Sequence, residues 1–85
     1  MRSVTIFTKI GCPYCVSAKA LLNKKGVAYN EIDVSRDVEL KRSMIARSAG
    51  RQTVPQIFAG DRHIGGCDDL YALDRSGQLD PLLAS

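Results

Sequence analysis

Apolar and polar positions alternate in blocks along this chain, and the blocks change period. Val4-Thr5-Ile6-Phe7 is almost continuously apolar, the pattern of a strand covered on both faces, which predicts a strand from Ser3 to Thr8. The spacing then becomes helical: Ala18, Leu21 and Leu22 form one stripe behind Pro13, a residue tolerated in a first turn because its missing N–H would be unpaired there anyway. Gly26 is a natural stop. Val27, Tyr29, Ile32 and Val34 predict a second strand from Val27 to Val34. A second helix is expected from about Val38 to Ser48, with Ser35 and Asp37 as caps and Leu40, Met44 and Ile45 on its core side, ending at Ala49-Gly50. Gln56 to Ala59 and Arg62 to Ile64 flank the turn dipeptide Gly60-Asp61 and read as a hairpin. Gly65-Gly66 breaks it. A last helix is expected from Asp68 to Asp74, with one more turn from Leu79 to Leu83. The order β-α-β-α-β-β-α places the chain in the α/β class: a four-stranded mixed sheet flanked by helices, in one domain spanning 1–85, with a right-handed crossover between the first two strands.

Composition narrows the function classes. With 85 residues, 45% hydrophobic and 25% charged, the chain can bury one thin core, which excludes a large multi-layer enzyme and a disordered chain alike. The formal charge of +3 is mild and no basic run exceeds two residues, as at Lys24-Lys25. A nucleic-acid partner has no compact footprint here, although a weakly basic surface can attract anionic substrates. No stretch approaches membrane-spanning length, and Val4 to Phe7 is too short for a secretory core. Three cysteines is an odd number, and two are too close together to staple a large loop. That pattern points to a reducing compartment, the cytoplasm.

The chemistry is carried by Cys12-Pro13-Tyr14-Cys15, a C-x-x-C where a strand gives way to a helix, the context of thiol–disulfide exchange. A helix N-terminus carries partial positive charge and unpaired N–H groups. Both stabilise a thiolate, the species that attacks a disulfide. Cys12 comes first and is the better placed nucleophile. Cys15 lies one turn deeper and is the resolving thiol. Lys9 adds positive charge nearby, Pro13 fixes the first turn, and Tyr14 can cover the active sulfur while its hydroxyl stays in water. Zinc is the competing reading of the two thiols, but it needs two further ligands and only Cys67 and His63 are at hand; no metal is expected. His63, on a short edge strand, reads as a surface residue. Thiols act as both nucleophile and leaving group, so no histidine is required.

Three segments in order, Thr8-Lys9 with Cys12-Pro13-Tyr14-Cys15, then Thr53-Val54-Pro55, then Gly65-Gly66-Cys67-Asp68-Asp69, give a resemblance that covers essentially the whole chain. The chain resembles a glutaredoxin of the small bacterial dithiol branch, in the thioredoxin-like fold class. The resemblance implies a glutathione-dependent thiol–disulfide oxidoreductase with Cys12 and Cys15 as catalytic residues and glutathione as co-substrate. It implies a glutathione site made by Lys9, Cys12, Tyr14, Thr53, Val54, Pro55, Cys67 and Asp68. Within it, a cis Val54–Pro55 bond leaves the Val54 backbone free to pair with a peptide. The N–H groups of Cys67 and Asp68 suit the γ-glutamyl carboxylate, and the Asp68 carboxylate suits the adjacent ammonium. Lys9 meets the glycine carboxylate, joined by Arg42 if the register of the second helix allows. Asp69 is either a further ligand or a helix-start acid. Cys67 is expected to offer its backbone amide rather than a third redox thiol. The implied partners are glutathione, glutathionylated or disulfide-containing proteins (ribonucleotide reductase is compatible), and indirectly glutathione reductase and NADPH. A cytoplasmic monomer without nucleic-acid or membrane partners is the expectation. Two rivals share the fold. One is a redoxin for ribonucleotide reductase coupled to thioredoxin reductase, against which Lys9, Thr53 and Asp68 speak. The other is an iron–sulfur carrier bridging a cluster through Cys12 of two chains and two glutathiones, disfavoured by stiff Pro13 and by Cys15.

Overall fold

A computed structural model describes residues 3–84. Its sheet has the strand order β2-β1-β3-β4, formed by β1 (Val4–Thr8), β2 (Tyr29–Asp33), β3 (Gln56–Ala59) and β4 (Arg62–Gly65). β1 runs parallel to β2 and antiparallel to β3, and β3 runs antiparallel to β4. The helices are α1 (Pro13–Lys24), α2 (Val38–Arg47), α3 (Cys67–Arg75) and α4 (Leu79–Ala84). This is the mixed, helix-flanked sheet that the periodicity predicts.

Side chains alternate across a strand, so neighbours in one strand feed opposite cores. Val4, Ile6, Ile57 and Ala59 pack with Leu21, Leu22, Leu70 and Leu79 of the helices on one face. Phe7 and Phe58 pack with Val34 and Met44 on the other, their rings meeting edge to face at 5.8 Å. Both β1 and β3 are central and almost fully buried, which explains their apolar runs.

Four expectations change. β2 is shorter than the apolar positions suggest, because it is an edge strand with Asn30, Glu31 and Asp33 exposed; Val27 and Val34 are buried outside it. Leu40 lies on the exposed first turn of α2, beside the exposed Val38. The packed part of that helix is its second half, around Met44, Ile45 and Ser48. Asp37 alone caps α2, accepting from the Leu40 N–H at 3.0 Å. Ser35 instead accepts from the Ile10 N–H at 2.8 Å, tying the loop after β2 to the loop before α1. Finally, α3 starts at Cys67, one residue earlier than predicted, with Gly66 at its N-cap.

Candidate active site

Cys12 is the N-cap of α1 and Pro13 its first helical residue. An N-cap side chain points at the N–H groups that the first turn leaves unpaired, and here the Cys12 sulfur accepts from the Cys15 N–H at 3.2 Å. The same sulfur lies 3.8 Å from the Val54 carbonyl. Cys12 is half-buried, while Cys15 is 2% exposed. Burial pushes the Cys15 thiol up to about 12, helped by its hydrogen bond and charge interaction with Cys12 and opposed by a backbone hydrogen bond at Lys9 and by the Lys19 charge. Both thiols are free. The arrangement pairs an accessible sulfur with a buried, protonated one.

Around Cys12 lie three adjoining depressions. The first, about 320 Å³, runs between the 51–55 loop and the start of α3; it is lined by Tyr14, Arg51, Thr53, Val54, Pro55 and Gly66 to Asp69. The Val54–Pro55 bond is cis. The second, about 370 Å³, continues from Thr53 and Val54 to Lys9, Lys41 and Gln52. The third, about 470 Å³, holds Cys12 itself with Lys9, Ile10, Val16 and Lys19. Of the eight residues expected to hold glutathione, Tyr14, Thr53, Val54, Pro55, Cys67 and Asp68 line the first depression, Lys9 lines the second and third, and Cys12 lines the third.

Asp69 is built into the wall. Its Oδ2 accepts from the Gly66 N–H at 2.9 Å and from Arg51 at 3.2 Å. The Gly66 bond first, then Arg51, hold its carboxyl below the usual carboxylate range. Asp69 thus closes the first turn of α3 and pins the 51–55 loop to it, which is the helix-start role. Gly65 has φ +122°, and a Cβ there would run into the Asp69 carboxylate, so this close approach requires glycine. Asp68 is exposed at the cleft. Cys67 is 8% exposed, and burial, then Asp68 and Cys12, push its thiol up. That favours the backbone role over a third redox thiol.

Arg42 does not join Lys9. It pairs with Glu39 of its own helix at 2.9 Å, and Lys41, the neighbouring residue, faces the cleft in its place. The sequence reading also missed Gln56, whose polar character in an apolar strand was the available signal. It is fully buried, and its amide donates to the Thr53 carbonyl at 2.9 Å and to the Thr53 hydroxyl at 3.1 Å. His63 is not a plain surface residue. It is half-buried, stacks on Phe58 at 4.9 Å and meets Gln56 Oε1 at 2.7 Å. Among the described residues no group of three or more His, Cys, Asp or Glu could hold a metal, and no helix is long and apolar enough to cross a membrane.

A C-x-x-C in the first turn of a helix, set against a mixed four-stranded sheet, defines a thioredoxin-like thiol–disulfide oxidoreductase. Comparison with known proteins narrows the class: the glutaredoxin family model matches residues 4–64, and the chain belongs to the glutaredoxin family. It is 58% identical to glutaredoxin 3 of Escherichia coli over 83 residues, covering 98% of this chain and 99% of that one. The solution structure of a glutaredoxin from Brucella melitensis, 58% identical, superposes with a TM-score of 0.86 over 98% of this chain and 89% of that one. A buckwheat glutaredoxin–glutathione complex, 31% identical, gives 0.87 over 98% of this chain and 77% of that one.

Proposed function

We propose that this thiol–disulfide oxidoreductase is glutathione-dependent, reducing glutathione mixed disulfides and protein disulfides as an electron donor in cell redox homeostasis. The observation that carries this is the Cys12 sulfur, at the helix N-terminus, 3.8 Å from the Val54 carbonyl, where a polar cleft with a free carboxylate (Asp68) at one end continues to two ammonium groups (Lys9, Lys41) at the other. Glutathione carries complementary charges at its two ends. A relative with the same fold has been solved as a glutaredoxin–glutathione complex.

In the reaction, Cys12 thiolate attacks the glutathione sulfur of a mixed disulfide. The Cys12–glutathione bond forms, the old S–S bond breaks, and the protein thiolate leaves and takes a proton. A second glutathione thiolate attacks the bound glutathione sulfur, releasing glutathione disulfide and restoring Cys12 thiolate. With a protein disulfide, Cys12 first bonds one substrate sulfur. Cys15 then loses its proton and attacks Cys12, expelling that sulfur as a thiolate. The internal Cys12–Cys15 disulfide is reopened by two glutathiones. The Cys15 proton is held partly by the hydrogen bond and charge of Cys12. Both fade once Cys12 is in a mixed disulfide, which eases ionisation of the resolving thiol, while burial, the larger cause, still holds the proton. Ile10, Tyr14 and Val16, each more than 60% exposed around Cys12, offer an apolar rim for protein substrates. A protein reduced by glutathione works in a reducing compartment, and we infer the cytoplasm, with the protein acting as a monomer.

The test is turnover of a small glutathione mixed disulfide with glutathione, glutathione reductase and NADPH, beside reduction of a protein disulfide. Cys12→Ser should lose both activities. Cys15→Ser should lose only the second. Wild-type activity restricted to a thioredoxin-reductase couple, or retained activity in Cys12→Ser, overturns the reading.

A further inference from the structure

A polar chain runs from the half-buried His63 through the fully buried Gln56 to the exposed Thr53 on a wall of the cleft, and its first two members have no part in the chemistry above. Its hydrogen atoms can be assigned from the partners. The Thr53 carbonyl can only accept, so the Gln56 atom 2.9 Å from it is the amide nitrogen. Gln56 Oε1 therefore faces His63 and accepts. The imidazole atom 2.7 Å away, Nε2, must carry its hydrogen. Burial, then the Arg51 charge, lower the His63 pKa, with Asp69 opposing. Nε2 keeps its hydrogen in the neutral and in the protonated ring, so the bond survives either state.

The strands explain the alignment. Gln56 lies opposite Phe7, and Phe58 opposite His63. By the two-residue period, Gln56, Phe58 and His63 share the face that α2 covers. The register shift between Ile57 and Phe58 is a bulge, a device that re-aims side chains on one strand. The His63 ring is fixed from below by Phe58, over whose ring Arg47 of α2 lies at 4.4 Å. Gln56 is fully buried and has no water to replace a lost partner. It holds both the backbone and the hydroxyl of Thr53, the residue before Val54–Pro55.

We propose that His63 is a positioning residue for glutathione: through Gln56 it fixes Thr53, and with it the edge of the cleft that receives the peptide backbone of the ligand. This rests on the glutathione reading above. Without the Nε2 hydrogen, Gln56 Oε1 is buried and unpaired, the amide can rotate, and Thr53 loses its two anchors together.

The decisive variants are His63→Phe, which keeps a ring on Phe58 and removes the donor, and His63→Gln, whose amide can donate from nearly the same place. In the mixed-disulfide assay His63→Phe should raise KM about three- to tenfold, the range one hydrogen bond spans, with kcat changed by less than about twofold. His63→Gln should recover most of that loss; His63→Phe, which strands the buried Gln56 Oε1, should also lower Tm by several degrees, and His63→Gln should restore most of it. An unchanged KM in His63→Phe, or an equal rise in His63→Gln, overturns the proposal. In the ligand-free protein, NMR should show the Gln56 side-chain amide and the Thr53 and Val54 amides shifted and exchanging faster in His63→Phe; unshifted signals overturn the relay. Absence of wild-type turnover overturns the glutathione reading and the ligand named here, while the NMR measurement still reads the relay by itself.

Discussion

Asp69→Ala is the substitution whose cost the structure lets us work out most directly. The carboxylate makes two contacts with Oδ2, to the Gly66 N–H at 2.9 Å and to Arg51 at 3.2 Å. Gly66 is buried, so removing the acceptor strands a backbone N–H, a loss of about 1–3 kcal/mol in general. The ion pair adds little: both side chains are nearly half exposed, 45% and 48%, and exposed pairs contribute below about 1 kcal/mol. Solvent can partly reach the site through the same opening, which sets the total at about 1–2 kcal/mol. For a domain of this size that is a drop in Tm of roughly 4–15 °C. Asp69→Asn keeps an acceptor for Gly66 and loses only the charge, so it should cost less than half as much. The pH dependence has a definite sign. The Asp69 carboxyl is held low, so its stabilisation is complete above the ordinary carboxyl range near about pH 4 and fades as pH falls through the lowered value. Urea unfolding of wild type, Asp69→Ala and Asp69→Asn at pH 7 and at acid pH measures all of this. Asp69→Ala as stable as wild type, or Asp69→Asn as damaged as Asp69→Ala, refutes the reasoning.

Gly65→Ala should lose at least as much as Asp69→Ala, because it adds a strained φ of +122° and displaces the same carboxylate; thermal unfolding reads it. Ala49→Gly should stabilise. Ala49 is exposed with φ +55°, a left-handed conformation that costs an L-residue about 1–2 kcal/mol, only part of which is offset by the freer unfolded chain. Urea unfolding should show a gain of about 0.5–1 kcal/mol with an unchanged slope, and a loss would mean the left-handed turn is not formed. Cys15 makes an alkaline prediction. Its folded thiol is pushed up to about 12 from 9.0, so its contribution is intact below pH 9.0 and lost as pH rises from there, by at most about 1.4 kcal/mol per pH unit. Reduced Cys15→Ala should show a flatter fall in stability between those values, measured by denaturant titration across pH.

The parts of this molecule that were legible in its sequence are those where one local rule acts alone. Continuous apolar character marked β1 because that strand is covered on both faces, and Pro13 with Cys12 marked the start of α1 because capping is a local matter. β2 and Leu40 misled for a common reason. Apolar residues at an edge strand or a first helical turn obey the pattern, but whether another element covers them is decided by tertiary position. The same limit explains the basic residues. Lys41 and Arg42 are neighbours; the placement of α2 against the sheet decides that Lys41 lines the cleft, while Arg42 pairs with Glu39 three residues back on its own helix.

Gln56 and His63 expose a deeper limit. As letters they are one polar residue opening an apolar strand and one histidine on a short strand, and each has an unremarkable reading by itself. Their meaning comes from a strand pairing with a one-residue register shift, which no periodicity in either strand encodes. A fully buried amide in a thin core costs stability unless its donors and acceptor are all paired. Gln56 meets that condition only if His63 and Thr53 are both in place. A departure from apolar patterning that needs this much compensation is found where the backbone beside it must be held in one position, and the backbone beside Gln56 is Thr53-Val54-Pro55, the wall of the cleft next to the Cys12 sulfur.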